Sequence, residues 1–263
     1  AGIVQLVFAV KALAALGLKP RSKLVVLHNS DEEIGSPTSR PIIEEEAKKS
    51  KAVLVLEPSV TGGALKTWRK GVGGFEVTIT GLASHAGADY EKGISAIQEA
   101  AHQILRLHSL TNIEEGTTVN VGVLHAGTRS NVIAAEAKLS VDFRAKTIEA
   151  GNRVVSQILG LKPADPRTTV KVTGGVNRPP MERNQKNLAL FEIAKAIGKD
   201  MGIALEESGT GGGSDGNFTS ALGIPTLDGL GAVGDGGHAL NEWVLVSALP
   251  ERAAVVAGLL LAL

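Results

Sequence analysis

The sequence predicts an α/β protein: a mostly parallel sheet flanked by helices, interrupted by an inserted α+β domain of ferredoxin-like order. Three observations carry this. Short runs apolar on both faces, Leu24 to Leu27 and Ala52 to Leu56, alternate with helical stretches, as strands covered by helices on two sides do. From about Val72 the pattern becomes strict alternation, Phe75, Val77 and Ile79 against Glu76, Thr78 and Thr80, which marks half-exposed strands. Between Val72 and Thr173 the order of elements is β-α-β-β-α-β. Residues 1–70 and 177–263 therefore form one domain and residues 71–176 the inserted one.

Taken in order, Ala1 to Leu18 reads as a buried helix closed by Gly17. Lys11 in its middle and its shortness exclude a bilayer span, and no charged leader marks it as a signal peptide. No N-cap residue precedes it, so the chain reads as part of a longer protein. Lys23 to Ser30 is a strand, with His28 packed within it, that delivers Asp31, Glu32 and Glu33 to a turn made by Gly35 and Pro37. Arg40 to Lys49 is a helix with Pro41 in its first turn, and Ala52 to Leu56 a strand ending at Glu57.

The inserted domain holds strands from about Val72, at Thr118 to Leu124, Ala137 to Arg144 and Thr169 to Thr173. Its helices run from Ile94 to Leu107 and near Ile148 to Leu159. Asn177 to Pro180 is the return linker. A helix at Lys186 to Met201, a strand at Ile203 to Glu207, a short helix at Asn217 to Leu222, a strand at Ile224 to Leu227 and a closing helix from Pro250 complete the chain.

Composition narrows the chemistry. Lys plus Arg and Asp plus Glu number 27 each in 263 residues, and no basic stripe interleaves with aromatics, so neither nucleic acid nor a membrane is indicated as partner. Cysteine is absent, which removes disulfides and thiolate ligands, fits a cytoplasmic location and leaves any metal to His, Asp and Glu. Glu32 and Glu33, Glu57 and His238 each follow an expected core strand. Parallel strands gather their carboxyl ends, where such folds bind ligands. Carboxylates with one imidazole suit zinc or manganese, and a neighbouring carboxylate can act as general base. The plainer reading is an acidic helix start and scattered surface acids. Asp31 is expected to orient the loop rather than bind metal, and His102 and His108 to lie on the surface.

Seven motifs occur in order: Ser30 to Ser36 (SDEEIGS), Leu56-Glu57-Pro58, Gly81 to Gly87 (GLASHAG), Ser130 to Ile133 (SNVI), Val141 to Arg144 (VDFR), Gly211 to Asp215 (GGGSD) and the Gly-rich loop to His238. In these the chain resembles the co-catalytic zinc exopeptidases and deacylases, with glutamate carboxypeptidase the nearest in flavour. The resemblance implies a zinc-exopeptidase-like α/β domain, an inserted dimerisation and lid domain, and two zinc ions. It implies that Glu32 is the general base, that Glu33 and His238 ligate one zinc and Glu57 the other, and that His85 stabilises an oxyanion across a homodimer interface. Asn131, Arg144 and the Gly212 and Gly213 backbone would hold the α-carboxylate of a small peptide or N-acyl amino acid. Family members carry a His-x-Asp segment and a bridging Asp upstream of the first helix here. Neither is in this sequence, so the chain reads as a C-terminal portion of such an enzyme, with its own activity open.

Two rivals stand beside the metal-dependent amidohydrolase. Gly212 to Gly216 satisfies G-x-S-x-G between a strand and a helix, with Asp228 or Asp235 and then His238 following Ser214 in triad order; this is the signature of a metal-independent serine esterase. A non-catalytic dimerising fragment is the third reading.

Overall fold

The computed structural model describes all 263 residues as two compact units, residues 1–69 with 178–263, and residues 70–177. The first unit opens with helix α1 (Gly2–Ala15), helix α2 (Arg40–Lys48), the short strand β1 (Val53–Leu54) and strand β2 (Leu65–Arg69). The second contains β3 (Gly71–Thr80), α3 (Ala96–His108), β4 (Thr118–Ala126), β5 (Glu136–Ala145), α4 (Ile148–Leu159) and β6 (Thr169–Arg178), the last residue of which belongs to the first unit. The chain returns through α5 (Gln185–Asp200), β7 (Glu207–Thr210), α6 (Gly216–Ala221), β8 (Thr226–Leu227), β9 (Gly234–Asp235), β10 (Trp243–Val244) and α7 (Ala248–Ala262).

In the second unit the four strands lie in the order β4-β5-β3-β6. The alternation read from the sequence sets the faces: Phe75, Val77 and Ile79 are buried with Leu139, Val141 and Phe143 from β5, beneath α3 and α4. Ser95 and Thr147 cap the two helices, each accepting an amide of the first turn on its hydroxyl.

The first unit departs further from expectation. β1 pairs in parallel with β8 and β2 with β7, the core being α1, α5 and α7 around Leu65, Leu227 and Leu230. The segment from Lys23 to Asn29 is no strand. It joins no ladder, Leu24 to Leu27 are 37–46% exposed, and His28 is exposed rather than packed. Apolar character alone does not make a strand; a hydrogen-bonded neighbour is needed, and β1 is paired only with β8. Helix α1 is likewise buried along one stripe, Gln5, Ala9 and Leu13, while Ile3, Val4, Val7 and Phe8 face outward. Gly17 does close it, in the left-handed region at φ 67°. The strand expected over 203–207 instead begins at Glu207, where it meets β2. No helix is long and apolar enough to cross a membrane.

Candidate functional site

Asp31 fixes the acidic turn. Its carboxylate accepts from the amides and hydroxyls of both Thr38 and Ser39, at 2.6–3.1 Å, and those bonds hold it far below the usual carboxylate range. Glu32 to Ile34 then form one 3₁₀ turn ended by Gly35 at φ 92°, which sends Glu32 and Glu33 to different neighbours.

Glu32 meets Arg178. The guanidinium Nη2 donates to Glu32 Oε1 at 2.8 Å and to the Glu32 carbonyl at 3.0 Å, and also to Ser36 Oγ and Asp215 Oδ1 at 3.2 and 3.1 Å. Arg178 is 5% exposed, and its guanidinium stacks over the Phe218 ring at 5.2 Å, with Arg40 at 4.6 Å from the same ring. Burial raises the Glu32 carboxyl, Arg178 pulls it down, and Glu57, Asp215 and Glu33 push it up again. Asp215 is fixed by Asn29 and Ser36, at 2.7 and 2.5 Å.

Glu33 and His238 approach each other at 4.0 Å between Oε2 and Nε2, both largely exposed. Two bonds of about 2.1 Å can span that distance through one ion. His238 adopts φ 68°, unusual for a side-chain-bearing residue, so the Gly-rich loop is strained at this position. Glu57 is raised first by burial, then by Asp228 and Glu33, against the pull of Arg69 and Lys66. No three His, Asp or Glu side chains stand close enough to grip one ion together. The donors nonetheless fit divalent metal by their chemistry. Glu57 is a half-buried acid pushed up by desolvation and by two neighbouring carboxylates, a condition that a divalent cation would relieve.

Beneath these groups lies a charge network absent from the sequence reading. Asp228, fully buried, accepts from Arg69 Nε and Nη2 at 2.7 and 2.9 Å. Arg69 Nη1 also donates to the carbonyls of Gly212 and Gly213 at 3.1 and 3.0 Å, so that glycine loop is anchored by its carbonyls. Lys66, lowered chiefly by burial, donates to the Pro58 carbonyl at 2.7 Å.

This network removes the serine-esterase reading. Ser214 is 1% exposed and its hydroxyl donates to Asp228 Oδ2 at 2.6 Å, while accepting from the Gly216 amide at 3.1 Å. A triad needs an imidazole between the serine and the acid. Here the serine is bonded to the acid directly, Asp235 accepts from Thr61 and Gly236, and His238 faces Glu33.

In the inserted unit, the Ala86 amide donates to the Asn131 carbonyl and the Ile133 amide to Ser84, each at 2.9 Å, which brings His85 and Asn131 to one end of the sheet. His85 Nδ1 accepts from the amides of Gly87 and Ala88 at 3.1 and 3.0 Å, which leaves its proton on Nε2. Arg144 is not with them. It lies opposite Val72 and Thr118, at the far end of β5 from Glu136, roughly 27 Å away by the strand rise. There its guanidinium grips Asp142 at 2.9–3.1 Å. Arg144 and Asn131 of one chain therefore cannot hold the same carboxylate, because eight residues of extended strand separate their ends of the sheet.

Residues 67–161 match the model of the peptidase dimerisation domain of the M20 family. The chain is 34% identical over 266 residues to carboxypeptidase G2 of Pseudomonas sp. (strain RS-16), covering 99% of this chain and 64% of that protein. It is 30% identical over 267 residues to the succinyl-diaminopimelate desuccinylase of Dechloromonas aromatica (strain RCB), covering 95% of this chain and 68% of that protein. Among solved structures, aminopeptidase PepT from Bacillus cereus ATCC 10987 superposes with a TM-score of 0.82 at 23% identity, over 98% of this chain and 69% of that one. The YxeP protein of Bacillus subtilis, described as a dinuclear metal-binding peptidase, superposes at 0.73 and 17% identity, over 98% of this chain and 70% of that one.

Proposed function

Because this chain belongs to the M20 peptidase family, we propose that it is the greater part of a zinc-dependent hydrolase cleaving the amide bond of a small peptide or N-acyl amino acid with a free α-carboxylate. The chain spans about two thirds of the length of carboxypeptidase G2, so the activity is that of the whole protein. The observation that carries the reading is the pairing of Glu32, raised by burial yet held by Arg178, with a Glu33–His238 pair set within reach of one ion.

Bound zinc supplies Lewis acidity toward the substrate carbonyl and the attacking water. Glu33 and His238 would hold one ion and Glu57 another. Glu32 takes the proton of the attacking water and returns it to the leaving amine; a carboxyl raised toward neutrality suits both transfers. His85 donates from Nε2 to the carbonyl oxygen as charge develops there. Asn131 and Arg144 hold the α-carboxylate. They stand at opposite ends of one sheet, so both could reach one substrate only from two copies of the chain, and the match to a dimerisation domain supports such a homodimer.

The test is Glu32→Gln in the full-length protein. Turnover of an N-acyl or peptidyl glutamate should fall about 10²–10⁴-fold with zinc content and thermal melting unchanged. Near-native turnover would exclude Glu32 as the base.

A further inference from the structure

Arg252 of α7 is 3% exposed and has no carboxylate partner. Its guanidinium spends its donors on backbone: Nε to the Gly231 carbonyl at 3.2 Å, Nη1 to that of Gly63 at 3.0 Å, and Nη2 to that of Gly229. Burial alone pushes its pKa down to about 10. An unpaired buried cation is costly unless its donors are satisfied, and three carbonyls do that work here.

Those carbonyls belong to the two loops that close over the strand ends. The Gly231 amide donates to the carbonyl of Glu57 itself at 2.8 Å, the Leu230 amide to Val55 at 3.1 Å, and the Ser59 amide to Ala232 at 2.9 Å. Lys66 and Asp228 exchange amide bonds at 2.8 and 3.1 Å. The approach is so close that a Cβ on Gly231 would stand 2.3 Å from the Leu56 oxygen and 2.7 Å from the Glu57 oxygen. Gly63 and Gly229 take φ 94° and 76°, which turns their carbonyls to the guanidinium.

We propose that Arg252 is a positioning residue for Glu57: by gripping both loops from beneath, it fixes the backbone from which that carboxylate enters the site. The inference rests on the reading of Glu57 as a metal ligand. A helix-anchoring role alone would lower stability without touching the loops.

The experiment compares Arg252→Met, Arg252→Lys and Glu57→Gln in the full-length protein, by hydrogen exchange and by zinc titration against a chelating dye. In Arg252→Met, exchange at residues 57–63 and 229–232 should rise while the amides of α7 stay protected, and zinc affinity should fall about 10–100-fold. Arg252→Lys, which can still donate to one or two carbonyls, should fall between. Unchanged loop exchange, or uniform loosening of the whole fold, overturns the proposal. If wild type and Glu57→Gln bind zinc equally, it is the metal reading that fails, and Arg252 is then judged on the loop exchange alone.

Discussion

Arg178 Nη2 stands 2.8 Å from Glu32 Oε1 and 3.1 Å from Asp215 Oδ1, so one buried guanidinium bridges the carboxylate of the acidic turn and that of Asp215. It opposes the burial and the neighbouring acids that raise Glu32. Replacing it with methionine therefore raises that carboxyl further. The acidic limb of the pH–rate profile should move to higher pH, with turnover reduced about tenfold or more at pH 6 and less at pH 8. An unmoved limb would separate Arg178 from the base.

Glu57 gives the opposite sign to an ordinary ion-paired acid. Its folded pKa lies above the ordinary 4.5, so the metal-free folded state binds more protons than the unfolded chain between those two values. Stability is lost as pH rises through that window and stays lost above it. Glu57→Gln should therefore raise the melting temperature of the metal-stripped protein at pH 7–8 and leave it nearly unchanged at pH 4. Adding zinc should erase or reverse the advantage.

Asp228→Ala strands Arg69, 4% exposed, without its carboxylate and also removes the acceptor of Ser214. Breaking such a buried pair costs about 3–5 kcal/mol, read by urea denaturation. Ser214→Ala should cost only about 1–2 kcal/mol and leave turnover within a few-fold of wild type. A serine-directed phosphonate should not label Ser214.

The distance between Arg144 and His85 predicts complementation. Arg144→Ala and His85→Ala homodimers should each be nearly inactive. If one site takes Arg144 from one copy and His85 from the other, re-equilibrated mixtures should recover about a quarter of wild-type activity, since half the dimers are mixed and each carries one intact site. Failure to recover any activity, with mixed dimers shown to form, would place both residues in the same copy's site.

How much of this was legible in the sequence differed between the two units. The period-2 pattern of Phe75, Val77 and Ile79 fixed strand and face together, because a one-residue slip would turn the whole buried set to solvent. β2 escaped notice because Leu65-Lys66-Thr67-Trp68-Arg69 does not read as core, yet all but Trp68 are buried. Its two charges are tolerated through Asp228 and the carbonyls of Pro58, Gly212 and Gly213, partners that spacing does not reveal. The run Leu24 to Leu27 misled in the other direction, since apolar residues are necessary for a buried strand but a neighbour makes it one. Glu32, Glu33 and His238 were singled out by their motifs, since the strand expected ahead of Glu32 does not form. Arg178, in what read as a mere linker, lies 146 residues from Glu32 in the chain and offered no local signal. The glycines at 212 and 213 were noticed, but not that Arg69 holds them by their carbonyls.

Arg69 and Met181 exchange backbone hydrogen bonds at 2.9 and 3.1 Å, one just before the chain leaves the first unit and the other just after it returns. Exit and re-entry are thus stitched side by side, like the base of a hairpin whose tip has been swollen to more than a hundred residues. Excising residues 70–177 and joining the ends by a short glycine-rich turn should keep the Arg69–Asp228 pair. The same stitch offers a ready socket for grafting a foreign domain.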